Sequence, residues 1–167
     1  MKKTICILLC LSFLFFSGCE SKKTEIKPIT KNLSFTAEIE HDNNIYTYDA
    51  IINNNYGIEL KATTNGLSGL SYHFSGNTLT ERFNKLEHII ETSSLPDGII
   101  IDFIYSVYST ISKNKTTVKF QDNQYFLSDK NDKYCFKMFF GQTGLPLKIE
   151  DKENGITVII KNASLIN

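Results

Sequence analysis

The sequence predicts a mainly β domain with one substantial helix, an α+β chain of about ten or eleven antiparallel strands. Three features predict it. Apolar residues recur with period two along most of the chain after position 32, short clusters of Asn, Asp and Gly punctuate that alternation, and the period breaks only once, ahead of a long apolar run ending near Lys113.

The strands follow in order. Leu33, Phe35, Ala37 and Ile39 face one way while Ser34, Thr36, Glu38 and Glu40 face the other, the pattern of a half-buried strand. Asp42-Asn43-Asn44 turns the chain into a strand over Ile45 to Ile52, and Asn53-Asn54-Asn55 turns it again into Gly57 to Thr63. Leu70 to Ser75, Thr78 to Phe83 and Leu86 to Ile90 continue the meander, with Gly76-Asn77 as one of its turns. Ser94 with Asp97 three residues on fits a capping box, and Pro96 suits a first helical turn, so a helix is expected over Gly98 to Lys113. Asp102, Ser106, Ser109 and Lys113 form its polar stripe, and the rest of its surface is apolar enough to require cover on most sides. Alternation then returns through Val118 and Phe120, Tyr125 and Leu127, Tyr134 to Phe140, Leu145 to Ile149, and Ile156 to Ile160; Asn154-Gly155 is the strongest hairpin signal. A one-faced sheet and an over-apolar helix bury each other if the sheet curves around the helix, with Ile104 and Val107 among the most buried positions.

Composition narrows the function. The chain has 167 residues, 41% hydrophobic and 12% aromatic, with 18 basic and 18 acidic side chains, which describes one globular domain. A nucleic-acid partner is not expected, because the only arginine is Arg82 and the lysines are interspersed with acids.

The N-terminus reads as an export signal spanning residues 1–18: Lys2 and Lys3, an apolar run of 12 residues from Ile5 to Phe16 broken only by Ser12, then Ser17 and Gly18. That run is too short for a spanning helix, which needs about 20 residues. Phe16-Ser17-Gly18-Cys19 resembles the lipobox of bacterial lipoproteins, although Phe16 stands where that family usually has Leu, Val or Ile. The resemblance implies diacylation at Cys19, which becomes the first mature residue, and two acyl chains suffice for stable anchoring. Without the signal the chain carries 16 basic and 18 acidic residues, a net charge of about −2. Residues 19–31 are polar, carry Pro28 and lack a hydrophobic period, so they read as a flexible tether before a domain spanning 32–167. Of four cysteines only Cys135 then remains free, in a strand-like run where it is expected as a small buried hydrophobe.

Gly66-Leu67-Ser68-Gly69-Leu70-Ser71-Tyr72-His73-Phe74-Ser75-Gly76-Asn77-Thr78-Leu79, Leu86-Glu87, Ser94-Leu95-Pro96 before the apolar helix, and Thr143-Gly144-Leu145-Pro146-Leu147-Lys148-Ile149 together resemble the LolA-like lipoproteins of low-GC Gram-positive bacteria. The resemblance implies a curved antiparallel half-barrel wrapped around a helical lid, with an apolar cavity that accepts acyl chains in the carriers of the wider superfamily. It places the protein on the extracytoplasmic face of the cell membrane. Phe35, Tyr72, Phe74, Ile100, Ile104, Phe136 and Met138 fall on faces that would border a groove between helix and sheet. The same residues could equally fill a solid core.

No residue pattern points to catalysis or a cofactor. His41, His73 and His88 lack metal-ligand spacing, no second cysteine completes a zinc site, and Gly66-Leu67-Ser68-Gly69 lacks the Lys and helix of a phosphate loop. His73 alternates with Ser71 and Ser75, the signature of a solvent-facing strand position. Two functions are left: an anchored lipoprotein that binds a lipid or acyl chain without transforming it, and a tethered interaction module with a filled core.

Overall fold

The computed structural model describes residues 25–41, 44–53, 57–94, 99–114 and 117–166. The expected signal at 1–18, the acylated Cys19, the first part of the tether, and Pro96, Asp97 and Gly98 lie outside the described residues.

Eleven strands form one open antiparallel sheet. They are β1 (Leu33–His41), β2 (Asn44–Asn53), β3 (Gly57–Ala62), β4 (Leu70–Phe74), β5 (Thr78–Phe83) and β6 (Leu86–Glu91), then β7 (Lys119–Gln121), β8 (Gln124–Lys130), β9 (Cys135–Phe140), β10 (Pro146–Asp151) and β11 (Ile156–Leu165). The helix α1 (Ile100–Lys113) connects β6 to β7. The spatial order is β6-β5-β4-β3-β2-β1-β11-β10-β9-β8-β7. Two meanders therefore meet at the centre, where β1 pairs with β11, and α1 links the two outermost strands.

The sheet curves around the helix. α1 touches β3 and β4 in one half of the sheet and β8 in the other. In a flat sheet β4 and β8 would stand about 34 Å apart at the usual strand spacing, whereas a 14-residue helix is about 21 Å long. Curling brings both halves onto one short helix. The core lies between them, and Ile104 and Val107 are both 0% exposed, as the apolar arc of the helix requires.

Cross-strand register sets the two faces, because residues directly opposite in an antiparallel pair share a face. Phe35 opposes Ala50, Ala50 opposes Leu60, and Leu60 opposes Tyr72 on the core side. Leu127 opposes Met138, which opposes Ile149, which opposes Val158, in the second half.

Four expectations need correction. The helix begins at Ile100, and its N-cap residue Ile99 is extended with no side-chain cap; Ser94 belongs to a separate 3-10 turn, Thr92–Ser94. Burial of Ile101, Phe103 and Ile104 fixes this first turn in place of a capping box. Asp102, expected on a solvent stripe, is buried: the loop after β8 folds over it, and it accepts hydrogen bonds from Tyr134 Oη (3.0 Å) and Lys133 Nζ (3.1 Å). Cys135 is exposed, because Tyr134, Phe136, Met138 and Phe140 take the inward face of the strand run and leave it outward. Finally, residues 25–31 are not a free tether, since Ile26 and Thr30 are buried and the Ile29 N–H donates to the Gly144 carbonyl at 2.8 Å.

Candidate functional site

The docked strap, residues 25–31, walls one side of a sizeable void. Pro28 has no N–H to donate and Ile29 uses its own on Gly144, so the strap passes beside the 141–144 turn before the chain enters β1 at Leu33. Between the strap, the last turn of α1 and that turn lies a cleft of about 890 Å³. Ile26, Pro28, Ile29 and Ile111 supply apolar wall, Thr30, Ser112, Asn114, Gln142 and Thr143 supply polar rim, and Glu25, Lys27 and Lys31 add charge. The volume of the cleft falls within the range of ordinary small-molecule sites, about 300–1,000 Å³.

A second void of about 190 Å³ lies on the other side of the same helical turn. It is walled by Ile52, Gly57 and Ile58 from the sheet and by Tyr105, Tyr108 and Ser109 from α1. Thr30 and Ser112 line both voids, so this pair of hydroxyl side chains stands between them. Only glycine fits at Gly57, because its φ is +89° and a β-carbon there would come within 1.9 Å of the Phe74 carbonyl oxygen on the neighbouring strand.

The Tyr108 ring stacks on Phe35 with centroids 6.3 Å apart, and its hydroxyl is buried with no hydrogen-bond partner among the described residues. Burial holds that hydroxyl far above the usual tyrosine range, so it stays neutral and able to donate. Tyr72 is also pushed up, to about 12, first by burial, then by the neighbouring Tyr48 and Glu81 and by the hydrogen bond that it makes to Glu81.

The seven residues expected along a groove are distributed differently from these walls. Phe35, Phe74, Ile104, Phe136 and Met138 are buried in the continuous core, and Tyr72 and Ile100 are half-buried against it. Phe74 packs edge-on against Tyr105 at 4.9 Å between centroids. The strap residues escaped sequence reasoning because a segment without hydrophobic period gives no local sign that Ile26 and Ile29 find apolar partners far along the chain. Thr143-Gly144 was their only trace, as a turn that something must approach closely.

The outer face carries a different cluster. Phe126 and Phe139 lie 6.3 Å apart between centroids, with Lys137 Nζ 3.8 Å above the first ring and Lys148 Nζ 4.7 Å above the second. Among the described residues no group of three or more His, Cys, Asp or Glu side chains is placed to hold a metal ion, and no helix is long and apolar enough to cross a membrane.

No family model and no curated protein matches the chain. Solved structures similar to it include an uncharacterized conserved protein from Thermus thermophilus, with 7% identity, a TM-score of 0.49 and coverage of 83% of this chain and 81% of that one. A LolA superfamily protein from Nitrosomonas europaea is similar at 13% identity and a TM-score of 0.47, covering 85% of this chain and 89% of that one.

Proposed function

We propose that the chain is an exported lipoprotein, acylated at Cys19, whose LolA-like domain of the low-GC Gram-positive type holds an apolar ligand, a lipid or acyl chain, without transforming it. α1 acts as the lid of the half-barrel. The observation that carries the ligand reading is the strap cleft of about 890 Å³ with its Ile26, Ile29 and Ile111 wall. The residue motifs that resemble LolA-like lipoproteins support it, as does the absence from the sequence of any pattern able to do chemistry.

The strap fits the anchored reading as well. Cys19 precedes Glu25 by six positions, so the acylated residue can stand no farther than about 20 Å from the docked strap. The cleft would then open close to the outer surface of the bilayer, where an acyl chain can enter without crossing water.

Native mass spectrometry of the chain from position 19, carrying Cys19→Ser to prevent acylation, tests the ligand reading. Co-purified acyl ligand, or saturable uptake of added fatty acid, is the expected outcome. A clean apo mass with no uptake up to the solubility limit would leave the second reading, a tethered interaction module with a filled core. That reading has its own support in the aromatic and lysine cluster of Phe126, Phe139, Lys137 and Lys148 on the outer face.

A further inference from the structure

We infer that the outer face of β7–β11 is a docking surface for an anionic phospholipid bilayer, which lays the anchored domain on the membrane with this half of its sheet down. The inference rests on the anchored-lipoprotein reading, and it holds whether or not the core takes a ligand.

Charge divides the outer face of the sheet at its centre. Residues directly opposite in neighbouring strands share a face, so the register carries one set of side chains outward across all eleven strands. On β1–β6 that set includes Glu38, Glu40, Asp49, Glu59, Glu87 and Glu91 against Lys61 and Arg82, a net charge of −4 counting Lys, Arg, Asp and Glu. On β7–β11 it includes Lys119, Lys130, Lys137, Lys148 and Lys161 against Glu150, a net charge of +4. The chain without its signal carries about −2 in all, so the basic half reverses the sign of the whole.

Aromatic rings organise the basic half. One outward row near the turn between β9 and β10 runs Lys119, Phe126, Phe139, Lys148 and Ile159, each opposite the next. Lys137, two residues from Phe139, places its Nζ 3.8 Å from the centroid of Phe126 and 4.9 Å from that of Phe139. Rings that hold ammonium groups in place reduce the side-chain freedom lost when those groups meet an anionic partner. Lysine stems laid over aromatic surface, with their charged ends outward, also suit a headgroup layer.

The tether identifies the partner. Gly144, in the turn between β9 and β10, lies against the Lys27 carbonyl and accepts from Ile29, so the chain leading back to Cys19 approaches the domain at the basic half. Cys19 precedes Lys27 by eight positions, a reach of at most about 28 Å. Acylation of Cys19 keeps the bilayer within that distance of the turn and presents it to this face at high effective concentration. Residues 19–31 add four lysines against two glutamates. An anionic surface attracts the basic half and repels the acidic half, which sets the orientation of the domain.

The test uses the chain from position 19 with Cys19→Ser, mixed with vesicles of phosphatidylcholine alone or of phosphatidylcholine and phosphatidylglycerol in equal parts. The mixed vesicles should bind about twentyfold more tightly, and the difference should vanish near 1 M salt, where the screening length is about 3 Å. Each lysine at an anionic surface contributes about fivefold in affinity, so Lys119→Gln and Lys137→Gln should each weaken binding by about that factor. Lys61→Gln, on the acidic half, should change it less than about twofold. The chain has no tryptophan, and Ile159 and Ile51 face outward, each 39% exposed, on the basic and acidic halves. Brominated lipid in the mixed vesicles should quench the tryptophan of Ile159→Trp and spare that of Ile51→Trp. Binding unaltered by Lys119→Gln and Lys137→Gln, with equal quenching at the two positions, would assign it to the tether lysines and overturn the docking face. Equal binding to both kinds of vesicle would overturn it too, as would self-association without vesicles that is lost in Lys119→Gln, which would give the face to a second copy of the chain. The mass of the wild-type chain purified from cells reads acylation separately: an unmodified Cys19 would overturn anchorage, and lysine-dependent binding of anionic vesicles would still support the face.

Discussion

The carbonyl oxygen of Lys27 occupies the space where a side chain at Gly144 would begin: a β-carbon built there lies 2.2 Å from it. Gly144 also has φ +83°, a conformation that glycine adopts without the steric cost met by other residues. Its carbonyl accepts from Ile29 on the same strap. One residue thus supplies the turn, the clearance and the hydrogen bond that hold residues 25–31 in place.

Gly144→Ala should therefore release the strap and leave the sheet formed. The strained φ alone costs about 1 kcal/mol, and the clash adds to it. Trypsin would report the change as faster cleavage after Lys31 at unchanged far-ultraviolet circular dichroism. Cleavage at the wild-type rate would mean that the strap docks independently of Gly144.

Ile104→Ala should cost about 2–5 kcal/mol, the usual loss when a fully buried branched side chain leaves a cavity. Ile104 is completely buried in the core where α1 meets the sheet. Urea denaturation measures the loss directly, and a change below about 0.5 kcal/mol would contradict the close packing of α1 in the core.

Alkaline pH should destabilise the protein in a way that depends on Tyr72. Its folded pKa is raised to about 12 from an unfolded value of 10.0, so between those values the folded state holds more protons than the unfolded state. Stability then falls as pH rises through that window, because the unfolded chain ionises first. Tyr72→Phe should flatten the fall between pH 10 and 12, with Tyr48 and Tyr108, both also raised by burial, accounting for what is left. A fall of undiminished steepness in denaturation midpoints of Tyr72→Phe would remove Tyr72 from this account.

Cys19→Ala should move the protein from the membrane to the soluble exported fraction. The expectation rests on the charged start, the short apolar run and Ser17-Gly18-Cys19. Membrane retention in the variant, measured by fractionation, would show that acylation at Cys19 is not the anchor.

Much of the fold was legible because it is local. Period-two alternation assigns faces strand by strand, and turn residues divide the chain, so the strands and the burial of Ile104 and Val107 follow from nearest-neighbour geometry. The outward position of Cys135 was legible too, since Tyr134, Phe136, Met138 and Phe140 fix the parity of their strand; the general preference of cysteine for cores pointed the other way.

What only the tertiary structure decided are relationships between residues distant in sequence. The pairing of β1 with β11 brings Leu33 opposite Leu165, and no periodic signal specifies that choice of neighbour. Asp102 became buried because Tyr134 and Lys133, some thirty positions later, fold over it and satisfy its carboxylate. The strap docks because Ile29 and Gly144, more than a hundred positions apart, meet through a hydrogen bond, and the core packs around Tyr108 with side chains that offer its hydroxyl no partner among the described residues. The amino-acid sequence by itself determined which face most strands bury, since that depends on side chains two residues apart, but in β10 a register shift between Pro146 and Lys148 turns Leu147 outward against the alternation of Leu145, Leu147 and Ile149. The site arose from long-range packing, which sets where close contact stops and space remains.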